Sequence, residues 1–239
     1  TVAVLTVDNP PVNPLSDGVR AGLFDGIAKA EADSNVVGVV VTGKGRAFIA
    51  GADISEFGGE GDGHGLHTVF KNLEFCSKPV VAAINGLALG GGLETALCCN
   101  YRIASQNAFV GLPEVHLGLL PGAGGTQRLP RLTGPAEALK IMLSGAHVPA
   151  KKALSLGIID SISENVVEDS IAFVKEKASS GEKHPLVRDL NEKVLEARGS
   201  ENVLVEAQAV AAKTRKGQFA PGQIIKCVEC AVCLKRNTE

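Results

Sequence analysis

Short apolar, β-branched runs alternate with segments of helical periodicity over the first 165 residues of the chain. Residues 36–42 and 79–84 are continuous apolar runs, which are typical of strands buried on both faces. Residues 15–32 place apolar side chains at helical spacing instead, with Ser16 or Asp17 as the N-cap. These signals predict strands at 2–7, 36–42, 47–49, 79–84, 101–104, 108–111 and 158–162, and helices at 15–32, 66 to about 76, 91–99, 124–132, 135–143 and 150–156.

The order of these elements is strand, strand, helix, repeated with a drifting sequence. This order predicts an α/β protein built from layered ββα units rather than from one flat sheet. After about residue 165 the strand signals end, and charged amphipathic helices are predicted at 166–178, 185–197 and 201–216. We therefore predict two parts: a ββα core with the active site over residues 1–165, and a C-terminal helical region over residues 166–239.

Composition narrows the class of protein. With 45% hydrophobic and 21% charged residues among 239, the chain has enough apolar material for a sizeable core. The net charge of −2 provides no electrostatic footprint for nucleic acid or for an anionic membrane. The glycine-rich segment 58–65 is predicted to be a polar loop, and His64 and His67 near it are expected to be solvent-exposed, without a metal.

The cysteines have two interpretations. Cys227, Cys230 and Cys233 form C-x-x-C-x-x-C, a spacing found in iron–sulfur proteins, but no fourth cysteine follows. The same spacing of three fits one face of a helix. We expect small buried thiols in a reducing compartment.

Two segments can present backbone N–H groups to a ligand. Gly90-Gly91-Gly92 directly precedes a predicted helix, whose N-terminus offers unsatisfied N–H groups. Ala50-Gly51-Ala52-Asp53 follows a strand and forms a tight turn. The alternatives are a close strand–helix crossing for the first segment, and an ordinary turn capped by Asp53 for the second.

Two glutamates accompany these segments. Glu94 lies two residues beyond the three glycines, and Glu114 precedes the run Pro121-Gly122-Ala123-Gly124-Gly125. Two carboxylates beside N–H donors suggest acid–base chemistry next to a developing oxyanion, as in enolate formation from a thioester. His116 either orients Glu114 or packs away from it, and we expect packing.

These motifs, in this order, resemble the enoyl-CoA hydratase (crotonase) superfamily over residues 2–162. The resemblance is strongest to the branch whose members join a hydratase/isomerase to a dehydrogenase in one longer chain. It implies the crotonase (ClpP-like) spiral of ββα units with a C-terminal helical appendage. It also implies one acyl-CoA pocket formed by these residues: Glu94 and Glu114 as catalytic carboxylates, Ala52 and Gly91 as oxyanion-hole donors, Gly122 as the residue that positions water, and Ala50, Asp53 and Ile54 as contacts to CoA.

The resemblance implies hydration of trans-2-enoyl-CoA in fatty-acid β-oxidation, with 3,2-enoyl-CoA isomerisation as a second activity. Isomerisation alone and a non-catalytic acyl-CoA-binding role are the alternatives. RNA binding is disfavoured because acids outnumber bases on the first helix. The expected partner is an acyl-CoA thioester, with CoA as part of the substrate, no separate cofactor, no nucleic acid and no membrane.

The expected assembly is a homotrimer or hexamer, or a monomeric half of a longer bifunctional chain. We expect a peroxisomal location in a eukaryote and a cytoplasmic one otherwise. A mitochondrial location stays open because the sequence begins at Thr1 without a methionine.

Overall fold

A computed structural model describes residues 1–56, 64–199 and 201–233. Short 3₁₀ helices occupy Ile54–Glu56, Pro113–Leu117 and Val187–Asp189. The strands and α-helices of the described residues are, in chain order, β1 (Val2–Val7), α1 (Asp17–Ala32), β2 (Gly38–Gly43), β3 (Ala47–Ala50), α2 (Leu66–Glu74), β4 (Val80–Ile84), β5 (Leu87–Leu89), α3 (Gly91–Cys98), β6 (Tyr101–Ser105), β7 (Phe109–Gly111), α4 (Gly125–Thr133), α5 (Pro135–Ser144), β8 (Val148–Pro149), α6 (Ala150–Leu156), β9 (Ser161–Ser163), α7 (Val166–Ser180), α8 (Glu192–Glu196), α9 (Glu201–Thr214) and α10 (Ala220–Cys233).

Consecutive strands go to two different sheets. The first sheet is parallel and has the order β1-β2-β4-β6-β9, and the second has the order β3-β5-β7-β8, with only the β7–β8 pair antiparallel. The pairs β2–β3 and β4–β5 each contribute one strand to each sheet and are each followed by a helix. The predicted α/β class and the repeated ββα units are therefore confirmed.

The apolar runs explain where the core lies. Every residue of β2 and of β4 is buried, as expected for central strands of a parallel sheet that is covered on both faces. Helix α3 is also buried along its whole length, from Gly91 to Cys98. Because α3 is surrounded by protein, the glutamate in its first turn is carried into the interior.

Several element boundaries differ from the prediction. Strand β9 begins at Ser161 rather than at Ile158. The Ile158 N–H bonds to the Ala153 carbonyl at the end of α6, and the side chains of Ile158 and Ile159 are buried in the core. The single helix predicted at 185–197 is wrong. The extended backbone of Leu190 separates a 3₁₀ turn from the short helix α8.

The prediction of buried thiols is wrong for the C-terminal cysteines. Cys230 and Cys233 are exposed and Cys227 is half-buried, whereas Cys98 and Cys99 are buried. Helix α10 turns its more apolar face inward, and that face is formed by Ala220, Pro221, Ile224, Ile225, Val228, Ala231 and Val232. The row of cysteines lies beside this face because the branched aliphatic side chains bury more apolar surface than thiols do.

Of the two histidines near the predicted loop, His64 differs from the expected exposure and His67 agrees with it. Residues 58–63 of that loop lie outside the described residues. His64 is half-buried and stacks on Phe24 with 3.8 Å between ring centroids, whereas His67 is exposed on α2. Within the described ranges, no three His, Cys, Asp or Glu side chains cluster so that they could hold a metal. No helix in the same ranges is both long enough and apolar enough to cross a bilayer.

Candidate active site

One cavity of about 850 Å³ brings most of the predicted site residues together. Its wall includes several leucines, so the space is largely apolar around a few polar groups. Ile54 begins the 3₁₀ helix directly after Asp53. The predicted residues that line the cavity are Ala50, Ala52, Asp53, Gly91, Glu94, Glu114 and Gly122.

Each of the three consecutive glycines at the start of α3 has a different structural role. Gly90 has a φ of +53°, and a Cβ there would lie 3.2 Å from Glu114 Oε1. Gly92 packs directly on β3, where a Cβ would lie 1.8 Å from the Ile49 carbonyl oxygen. A close strand–helix crossing is therefore present at Gly92, while Gly91 between them borders the cavity.

Two backbone donors lie side by side at the cavity. The position of a Cβ on Gly91 is 3.6 Å from the Ala52 nitrogen. Neither the Ala52 N–H nor the Gly91 N–H donates a hydrogen bond to an acceptor in the described part of the chain. Leu15 holds the pair in place, because its N–H bonds to the Gly51 carbonyl at 2.9 Å and its side chain packs at Gly91. Unsatisfied N–H groups at a helix N-terminus are well suited to bind an oxygen that carries negative charge.

Glu94 is a buried carboxylate held by the backbone. Its side chain is 3% exposed, and Oε1 accepts hydrogen bonds from the N–H groups of Ala123 at 2.8 Å and Gly125 at 2.7 Å. Burial raises the pKa of Glu94, and the two N–H groups and the charge of Arg128 act in the opposite direction. The surroundings of Glu94 therefore contain specific groups that favour its ionised form.

Glu114 has a contrasting environment. It lies in the 3₁₀ helix Pro113–Leu117, and its Oε2 is buried without a hydrogen-bond partner in the described ranges. Burial raises the pKa of Glu114 to about 8, and the nearby negative charge of Glu94 adds to this effect. At neutral pH Glu114 is therefore mainly the neutral acid, beside a carboxyl group whose two N–H bonds and neighbouring Arg128 favour the ionised form against the effect of burial.

Gly122 and Asp53 line the same cavity. The N–H of Gly122 donates to no acceptor within the described ranges. Asp53 Oδ1 accepts bonds from the Ser55 N–H at 3.0 Å and the Ser55 hydroxyl at 2.6 Å, so Asp53 also caps the turn that follows β3. These bonds to Ser55 lower the pKa of Asp53.

His116 also lines the cavity, but its ring nitrogens meet other parts of the chain. Its Nδ1 lies 3.2 Å from Arg215 Nη2, and a Cβ on Gly145 would lie 2.4 Å from its Nε2. The ring therefore packs against Gly145 and Arg215, in agreement with the packing interpretation.

A buried ion pair next to Glu94 was not predicted from the sequence. Glu74 is 2% exposed and binds Arg128 through two hydrogen bonds of 3.0 Å. Residues 74 and 128 lie on α2 and α4, and neither belongs to a local motif that indicates a partner. Both helices carry other charged side chains, such as Lys71 and Arg131, so no local pattern distinguishes this pair in the sequence.

Residues 1–222 match the family described as enoyl-CoA hydratase/isomerase. A peroxisomal bifunctional enzyme from Cavia porcellus is 41% identical over 238 residues, which cover 97% of this chain and 32% of that protein. A probable enoyl-CoA hydratase from Bacillus subtilis is 46% identical over 165 residues, which cover 66% of this chain and 64% of that protein. A crystal structure of enoyl-CoA hydratase from Bacillus anthracis superposes with a TM-score of 0.70 at 29% identity, covering 92% of this chain and 95% of that one.

The two sheets of ββα units therefore form the crotonase fold. The chain belongs to the enoyl-CoA hydratase/isomerase family. It spans about a third of the length of the bifunctional relative from Cavia porcellus, at 32%.

Proposed function

We propose that this chain hydrates trans-2-enoyl-CoA thioesters, with 3,2-enoyl-CoA isomerisation as a second activity. The observation that carries the proposal is the pairing of Glu94 and Glu114 at one apolar cavity, beside two N–H groups that have no acceptor in the described residues. Hydration needs a base for water, an acid for C2 and donors for the thioester oxygen. This cavity contains candidates for all three.

The thioester oxygen gains negative charge when water adds at C3, because an enolate develops. We assign the Ala52 and Gly91 N–H groups to that oxygen. Donors that are already oriented stabilise the enolate without reorganising during the reaction, and these two have no acceptor among the described residues. The Gly122 N–H is assigned to the reacting water, since Gly122 lines the same space.

The two carboxyl groups divide the proton transfers. Ionised Glu94 takes a proton from water, and neutral Glu114 delivers a proton to C2. The hydrogen bonds to Glu94 support the first assignment, and the buried Glu114 Oε2, which has no partner in the described part of the chain, supports the second. Isomerisation uses Glu114 as a base instead, since one carboxylate can take a proton from C2 and return it to C4.

The proposed reaction requires only acid–base chemistry, with CoA as part of the substrate. Ala50, Asp53 and the backbone at Ile54 are assigned to CoA, supported by the position of the first two at the cavity. The presence of both carboxyl groups at one cavity favours a catalytic role over a non-catalytic binding role. For a eukaryotic source we propose a peroxisomal location, supported by the peroxisomal relative.

The direct test is turnover of crotonyl-CoA by the purified chain. We expect formation of 3-hydroxybutyryl-CoA, measured by loss of the conjugated enoyl absorbance and by chromatography of the product. With a trans-3-enoyl-CoA we expect slower formation of the trans-2 isomer. Isomerisation without any hydration would reduce the proposal to the isomerase alternative, and binding of acyl-CoA without turnover would overturn it.

The two activities should depend on pH in opposite directions. Hydration needs neutral Glu114, so its kcat is expected to fall as the pH rises through about 8, the pKa of that group. Isomerisation needs ionised Glu114, so its kcat is expected to rise over the same interval. Both rates are measured on one enzyme preparation. Parallel changes in the two rates would contradict the assignment of Glu114 to both reactions.

A further inference from the structure

Glu74, Arg128 and the half-buried Arg188 form a cluster of charged side chains next to Glu94, and the proposed reaction assigns no role to it. Arg128 on α4 binds Glu74 at the end of α2 through two parallel bonds, Nε to Oε1 and Nη2 to Oε2, each 3.0 Å long. Arg188 Nη1 reaches the same Oε2 at 2.9 Å. The two-point geometry fixes the orientation of the Arg128 guanidinium as well as its position.

The same guanidinium contacts the loop that holds Glu94. Arg128 Nη1 donates to the Ala123 carbonyl at 3.4 Å, and a Cβ on Gly124 would lie 2.0 Å from that nitrogen. From this loop, the N–H groups of Ala123 and Gly125 bind Glu94 Oε1. The loop thus connects the guanidinium to Glu94, and Gly124 is needed because any side chain there would displace Arg128.

We propose that the Arg128–Glu74 pair positions Glu94 for the proposed hydration, by fixing the loop that binds it and by keeping its carboxylate ionised. The inference rests on the proposed function. Fold stability alone is a weak explanation, because a buried ion pair typically stabilises a fold no better than well-packed apolar side chains would. A charge that faces the base of the reaction gives the pair a function that an apolar replacement cannot supply.

The groups that face Glu94 determine the expected pH effect. Arg128 faces it from α4, Glu114 from the 3₁₀ helix and Cys98 from its own helix, where burial raises the thiol pKa well above its usual range. Glu74 acts through Arg128. Among these groups only Arg128 is positive, so its loss should raise the pKa of Glu94. Ionised Glu94 is the form that takes a proton from water, so the acidic limb of kcat should move to higher pH.

The test measures kcat and KM for crotonyl-CoA across pH in wild type, Arg128→Met and Arg128→Lys. In Arg128→Met we expect the midpoint of the acidic limb to move to higher pH by about one unit or more. At pH values below this midpoint, kcat should therefore be about tenfold lower than in wild type, while KM changes little. Arg128→Lys keeps the charge but not the two-point geometry and should shift the limb less. An unmoved limb in Arg128→Met would overturn the inference.

Two controls separate positioning from fold stability. Arg102 on β6 is 3% exposed and pairs with Asp160 at 3.1 Å, so Arg102→Met also removes a buried guanidinium. It should lower the unfolding midpoint without moving the acidic limb. The double variant Glu74→Gln/Arg128→Met removes both charges of the pair. We expect this double variant to be more stable than Arg128→Met but to keep the acidic limb of Arg128→Met. A purely structural role of the pair predicts instead that the acidic limb returns to its wild-type position.

A measurement that does not depend on turnover completes the test. In protein labelled at the glutamate carboxyl carbons, the NMR signal missing from Glu94→Gln belongs to Glu94. Its titration midpoint should rise in Arg128→Met and stay in place in Arg102→Met. A midpoint that rises in a protein without hydratase activity would reject the proposed function alone, and an unmoved midpoint would reject the role of Arg128.

Discussion

Glu94→Gln is expected to lower kcat for crotonyl-CoA hydration by about 10²–10⁴-fold, the usual contribution of a positioned general base. The glutamine oxygen can still accept the N–H bonds of Ala123 and Gly125, so the loop should stay in place. Isomerisation should be largely retained, because it needs only Glu114. Loss of the Glu94 charge should also lower the pKa of Glu114 from about 8. Both rates are measured with the same enzyme stocks.

Glu114→Gln provides the matched comparison, since it should lower both hydration and isomerisation by a similar factor. The double variant should be little slower in hydration than the worse single variant, because residues that act as a unit are not additive. Glu137→Gln on α5 is a control for the chemical change itself, and it should behave as wild type. Wild-type hydration by Glu94→Gln, or isomerisation that survives Glu114→Gln, would show that the carboxyl groups have other roles.

Glu94 and Glu114 could be predicted as residues of the candidate site because the motifs that mark them are close to them in the sequence. A glycine triplet before a helix indicates close approach of the backbone, and an acid two residues later must lie in the first helical turn. The same reasoning predicted β2, β4 and the ββα order, since a continuous apolar run is itself evidence of burial. Strand β5, with only three residues, was missed because its place depends on pairing with β3 and β7.

The Arg128–Glu74 pair also depends on contacts between distant parts of the chain, so the sequence did not predict it. Its partners are 54 positions apart and are joined only by the packing of α2 on the rest of the core. The exposed cysteines of α10 show a different limit. On α10 both the row of cysteines and the row of aliphatic side chains have helical spacing, so the sequence pattern alone does not tell which row is buried. The packing of α10 against α4 and α5 buries the aliphatic row.

Removal of the Gly91 N–H should have the second large effect. Gly91 is the first residue of α3, a position where proline fits the helix and removes a donor that the helix itself does not use. If the N–H binds the developing enolate, Gly91→Pro should lower kcat for hydration by about 10²–10³-fold, or roughly 3 to 4 kcal/mol of barrier. The affinity for the substrate should change less, because the charge on the oxygen grows mainly in the transition state.

Gly91→Ala separates the donor from the added bulk. Its Cβ would meet Leu15 Cδ1 at 3.0 Å, a contact with the end of a flexible side chain, while the N–H remains. The same Cβ would lie 3.6 Å from the Ala52 nitrogen, so we expect Gly91→Ala to lose some hydration activity but much less than Gly91→Pro, and both variants to unfold at similar urea concentrations. If folded Gly91→Pro hydrates crotonyl-CoA as fast as Gly91→Ala, the Gly91 N–H does not bind the enolate. Isomerisation passes through the same enolate, so hydration and isomerisation should both fall in Gly91→Pro if the Gly91 N–H is a donor. Glu94→Gln should instead lose hydration and keep isomerisation.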